Sequence, residues 1–155
     1  MIYKTQVTAE DGKQELWITR EFDLPLFLLF KAFVEPEIVE QWMGTKVLKL
    51  KAQTHGSYQF ETTDPMGNKH RFNGVIHGIV ENQSIVRTFE MEKTGFPVQL
   101  EFLKFEEITE QTSQLTMQVV YKSVEDRDKM LKLPFAQGIN MAHNRLQDIV
   151  KNLKY

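Results

Sequence analysis

Cysteine is missing from all 155 residues. Disulfides, thiolate metal sites and a cysteine nucleophile are thereby excluded, and the chain is compatible with a reducing compartment. An excess of charge of one sign is also missing. The net charge is −2, with acidic and basic residues mixed along the whole length. Without a basic stripe to attract phosphates, no nucleic-acid partner is expected. Long apolar runs are scarce: Leu24 to Phe33 is the longest and is interrupted by Pro25 and Lys31, so no membrane span is expected. The first residues, Met1 to Gln6, lack the apolar core and small-residue cleavage site of a signal peptide, and a cytoplasmic location is the expectation. No repeat, low-complexity tract or linker divides the chain. One domain over 1–155, with its core at 14–153, is expected.

What is present is a regular succession of short elements. Leu16 to Phe22 alternates as a strand and ends at Asp23. Pro25 then occupies the first position of a helix carrying Leu26, Leu29, Phe30 and Phe33. Pro36 opens a second helix through Ile38, Val39 and Trp42, which Gly44 stops. Six strand-like segments follow: Thr45 to Lys51, Ser57 to Thr62, Lys69 to His77, Ser84 to Glu92, Val98 to Glu107 and Ser113 to Tyr121. Asp64-Pro65-Met66-Gly67-Asn68 is a strong turn signal, with weaker ones at Glu81-Asn82 and Glu110-Gln111-Thr112.

After Tyr121 the period changes. Ser123 followed three residues later by Asp126 marks a helix start, which Pro134 interrupts. Phe135, Gly138, Ile139, Ala142, Leu146, Ile149 and Leu153 then fall in a band about 100° wide at helical spacing. The expectation is an α+β fold of helix-grip type: a curved antiparallel sheet of about six or seven strands wrapped around a long carboxy-terminal helix, with two short helices after the first strand. Because those helices plug only one end, a cavity between sheet and long helix is expected.

Particular residues in that order resemble a known family. They are Phe22-Asp23-Leu24-Pro25, Phe30-Lys31-Ala32-Phe33 with Pro36-Glu37, and Gln41-Trp42-Met43-Gly44. Gly56-Ser57-Tyr58-Gln59-Phe60, Asn73-Gly74-Val75-Ile76, and Gly138-Ile139 with Asn144-Arg145-Leu146 follow. The set resembles the START-like SRPBCC superfamily, which includes the birch-pollen-allergen-like fold, in its branch of activators of Hsp90 ATPase homologues. Met43, Ser57 and Asn144 stand where the family usually has tryptophan, glycine and aspartate. Most of these motif residues have a folding role. The resemblance implies a cavity-bearing module that binds a small hydrophobic, lipid- or polyketide-like ligand. It also leaves open a chaperone-linked or other protein partner, for which Trp17, Phe22, Trp42 and Phe96-Pro97 are the candidate contacts, and a cavity enzyme of cyclase type.

No residue set demands catalysis. The four histidines, His55, His70, His77 and His143, show no metal-binding spacing, and His70 and His77 lie seven apart on one strand, hence on opposite faces. No nucleophile elbow or phosphate-cradling glycine loop appears. Neither metal nor cofactor is expected. Alternation along the strands nominates the cavity lining as Tyr58, Phe60, Phe72, Ile76, Arg87, Phe89, Phe102, Met117 and Tyr121, joined by Phe135, Ile139 and Ala142 of the long helix. Met130 and Met141 are further adaptable candidates. Arg87 either finds a partner inside, such as a ligand carboxylate, or lies on the outer face or rim with its stem packed.

Overall fold

A computed structural model describes residues 3–153. The two residues at each end of the expected domain, and Met1 and Ile2 of the amino-terminal reading, lie outside the described residues. The elements in chain order are β1 (Gln6–Thr8), β2 (Glu15–Phe22), α1 (Leu26–Val34), α2 (Pro36–Met43), β3 (Lys46–Leu50) and β4 (Ser57–Thr63). They continue with β5 (Lys69–Val80), β6 (Ser84–Met91), β7 (Gln99–Thr109), β8 (Thr112–Val120), α3 (Val124–Lys132) and α4 (Phe135–Lys151). All strands pair antiparallel in one sheet of order β1-β2-β8-β7-β6-β5-β4-β3. The expected helix-grip arrangement is therefore present, with one strand more than anticipated. β1 is three residues long, too short to show a period, and owes its extended form to pairing with β2.

Local chemistry sets the helix boundaries. Gly44 ends α2 in the left-handed conformation, φ 62°, where a side chain would be strained. Ser123 caps α3 by accepting from the Asp126 amide at 3.1 Å, an interaction worth about 1 kcal/mol. Leu133 follows α3 in extended conformation, as a residue before proline must, and Pro134 separates α3 from α4.

α1 lands on the sheet through an aromatic cluster. Phe30 and Phe33 stand edge-on to Phe105 of β7 at 5.1 and 5.4 Å between ring centres, and Trp42 tilts against Phe33 at 5.3 Å. Trp42 also donates its indole N–H to the Ala32 carbonyl, tying α2 to α1. α4 rests chiefly on α2, and Arg145 of α4 donates to the Trp42 carbonyl at 3.1 Å. Near β1 and β2 the tether is polar: Arg20 donates to Asn144 and Asn140, the Thr5 amide donates to Asn140, and the Asp23 amide donates to Gln147. α4 is thus fastened along both sides while its middle spans the sheet.

Candidate ligand cavity

Antiparallel register decides which side chains share the concave face, because directly opposed residues point the same way. Leu16, Val119, Glu101, Arg87 and Ile76 follow one another across β2, β8, β7, β6 and β5. An ion pair therefore sits in the middle of an apolar row. Ile18, Met117, Leu103 and Ile85 form a neighbouring row on the same face.

Between this face and α4 lies a cavity of about 220 Å³. Ile18, Phe60, Phe89, Met117 and Val119 line it from the sheet, Phe33, Val39, Trp42 and Met43 from the short helices, and Phe135, Ile139 and Ala142 from α4. Among the described residues, the polar lining is confined to Arg87, Gln99, Glu101 and His143.

Arg87 donates from Nε to Glu101 at 2.9 Å, and Gln99 donates its amide to the other carboxylate oxygen at 2.8 Å. Burial works most strongly against the Arg87 charge, but Glu101 and Tyr58 together outweigh it and hold the guanidinium above its ordinary pKa. The Tyr58 ring lies 5.6 Å from the Arg87 guanidinium carbon, and burial first of all pushes the Tyr58 hydroxyl above its usual value. That hydroxyl donates to the Thr88 carbonyl across Gly74. A methyl group at Gly74 would collide with both the Thr88 carbonyl and the Tyr58 ring, so glycine is required for Tyr58 to lie there. His143 is buried, and burial, followed by the nearby Arg20 charge, pushes it down to about 3.

Two tryptophans, Trp17 and Trp42, occupy opposite situations. Trp42 and Phe22 are buried, whereas Trp17 is 41% exposed on the outer face of the sheet. Phe22 and Trp42 are therefore unavailable as surface contacts, and Trp17 stands with Val86, Phe102 and Gln118 along a shallow outer groove.

With the geometry established, comparison places the chain. The model of the family described as activator of Hsp90 ATPase homolog 1-like protein matches residues 23–151. The chain belongs to this family. Its helix-grip fold is that of the SRPBCC superfamily. Among solved structures, a Rhodobacter sphaeroides protein is 18% identical, with a TM-score of 0.86 over 97% of this chain and 99% of its own. A Mycobacterium smegmatis protein is 21% identical, with a TM-score of 0.85 over 98% and 99%. An Arthrobacter aurescens protein is 17% identical, with a TM-score of 0.86 over 96% and 92%. At these identities the likeness concerns the fold alone. No curated protein matches the chain.

For this family member, the structure brings Phe60, Arg87, Phe89, Met117, Phe135, Ile139 and Ala142 together at the cavity. Tyr58, Ile76 and Tyr121 are buried core residues behind or beside it, and Phe72 is partly buried, stacked on Phe89 at 5.6 Å. The Tyr121 hydroxyl is buried without a hydrogen-bond partner among the described residues. Phe102 is a correction: it is 39% exposed on the outer face. The reason is a register shift. The turn at Glu110-Gln111 pairs Thr109 with Thr112, and unbroken pairing would set Phe102 opposite inward-facing Val119. A bulge between Glu107 and Thr109 moves the ladder by one residue, so Glu101 faces Val119 instead.

Arg87, opposite Glu101 in the unshifted β6–β7 ladder, lines the cavity. Its partner is Glu101 of the neighbouring strand, and it is neither an outer-face residue nor a cation awaiting a ligand anion. Met130 belongs to the core and Met141 is 54% exposed, while Met43 takes the cavity position. Glu101, Gln99 and His143 were missed because they are polar residues at positions where periodicity looks for apolar ones. The sequence signal that could have found Glu101 was Leu103 and Phe105, apolar residues of the same parity on β7.

Proposed function

We propose that the chain binds a small, predominantly apolar molecule in the cavity between the sheet and α4. The carrying observation is the 220 Å³ space, apolar on nearly every side and furnished with the Arg87–Glu101 ion pair. An apolar cavity of about 150 Å³ accommodates benzene, so this one suits a single ring or a short branched chain better than a long lipid. Few polar groups in a mostly apolar concavity is the usual composition of a small-molecule site. Membership of a superfamily whose fold resembles START-type lipid carriers supports the same reading. On this reading the chain acts as a binding module.

Native mass spectrometry of the chain purified from its host tests the reading. The expected result is an added small-molecule mass that disappears on organic extraction. Protein without such a mass, together with a failure of ring-sized probes to perturb the cavity methionines Met43 and Met117, would count against it.

A second reading concerns the opposite face. The family is described by reference to Hsp90 ATPase activation, and Trp17 and Phe102 form an apolar strip beside the outer groove. Such a strip suits contact with a protein partner. If an Hsp90-type chaperone is that partner, purified chaperone binds the wild-type chain and loses affinity for the Trp17→Ala, Phe102→Ala double variant. Equal binding by the two chains would remove the reading.

A further inference from the structure

Resting on the ligand-binding reading, we propose that the molecule held in the cavity carries one neutral hydrogen-bond acceptor, a carbonyl or hydroxyl oxygen, that docks on the terminal amino groups of Arg87, and that Glu101 excludes anionic ligands from the same place.

A guanidinium has five N–H donors. Arg87 uses Nε on Glu101, while its two terminal amino groups have no hydrogen-bond partner among the described residues. Its side chain nonetheless retains only 16% of its surface, and the residue lines the cavity. Glu101, by contrast, has a donor on each oxygen, Arg87 on one and Gln99 on the other. The wall therefore offers donors to a ligand and has its strongest acceptor already engaged. Tyr58 packs against the guanidinium, which fixes its position before any ligand arrives.

Charge determines the kind of acceptor. Arg87 and Glu101 together are neutral, and their surroundings are apolar on nearly every side. A ligand carboxylate on Arg87 would place a second anion beside Glu101 and leave an uncompensated negative charge in a low-dielectric site. A neutral oxygen accepts from the same amino groups without that cost. Volume sets the size: scaling from benzene in about 150 Å³, the cavity takes on the order of nine non-hydrogen atoms.

Three probes of that size differ only in the group offered to Arg87: cumene has no acceptor, acetophenone a carbonyl, and benzoate a carboxylate. Titration of the full chain with each at neutral pH, followed through the methyl signals of Met43 and Met117, gives a ranking of affinities. Acetophenone is expected to bind about fivefold or more tighter than cumene, with benzoate the weakest. Arg87→Met should bring acetophenone and cumene together. Glu101→Gln should raise benzoate affinity about tenfold or more relative to cumene.

In the wild-type chain, benzoate binding tightest, or cumene equalling acetophenone, overturns the inference while leaving ligand binding intact. No methyl shift with any of the three overturns the ligand-binding reading along with it. The wild-type ranking needs no variant to fold, and Glu101→Gln supplies an independent arm if Arg87→Met does not.

Discussion

Thr5 holds Arg20 and His143 together at the side of the cavity where β1 and β2 meet α4. Arg20 donates to the Thr5 hydroxyl oxygen at 3.3 Å, and the same hydroxyl shares a hydrogen bond with Nδ1 of His143 at 2.7 Å. The ring is neutral at physiological pH. In the unfolded chain His143 takes up a proton below its ordinary value of 6.5, whereas in the fold it does so only near 3. The folded-state value is depressed, so this contribution to stability is complete above pH 6.5 and is lost progressively as pH falls towards 3. The slope is at most about 1.4 kcal/mol per pH unit. Asp64, held down to about 2 first by His70 and then by the Asn68 amide, acts only below its ordinary 3.8, outside the upper part of this window. Thermal unfolding of wild type is therefore expected to weaken between pH 6.5 and 4.5 more steeply than that of His143→Gln. Parallel curves would show that the buried ring is not the group responsible. Nothing in local periodicity announces this arrangement, because His143 falls in the apolar stripe of α4 and reads there as an ordinary interior position.

At the scale of elements, α4 was legible and its faces nearly so. The apolar band places Leu146 and Ile139 toward the interior, as observed, but Gly138 at its edge is exposed, with open space where a Cβ would go. Glycine there costs backbone entropy without serving packing. Gly138→Ala is expected to stabilise the chain by about 0.5–1 kcal/mol. That corresponds to a rise of about 1–4 °C in the unfolding midpoint; a fall would show that the position needs glycine after all. β7 was harder to read. Leu100 and Phe102 alternate as well as Leu103 and Phe105 do, and only the bulge near Glu107 selects between them. A single inserted residue exchanges the faces of a whole strand, and its position depends on pairing with β8 rather than on β7 itself.

For the molecule as a whole, the cavity follows from how α4 is suspended. Arg145 on Trp42 fastens it beside the short helices, and Arg20 on Asn140 and Asn144 fastens it beside β2. Phe135, Ile139 and Ala142 of the helix face Phe60, Phe89 and Met117 of the sheet across unfilled space. Ala142→Leu, which adds apolar volume from the helix side, should recover about 1–2 kcal/mol and abolish uptake of ring-sized probes. A variant that loses stability yet still binds would place the ligand elsewhere.

Apart from β1, element order, helix boundaries and family membership were written in the chain itself, because proline, glycine, capping residues and hydrophobic period act over a few neighbouring positions. The composition of the cavity's polar wall came only with tertiary structure. Glu101 meets Arg87, and His143 meets Thr5, across separations in sequence that no local pattern encodes, and the first pair faces inward-pointing Val119 only because one bulged residue shifts the ladder between β7 and β8.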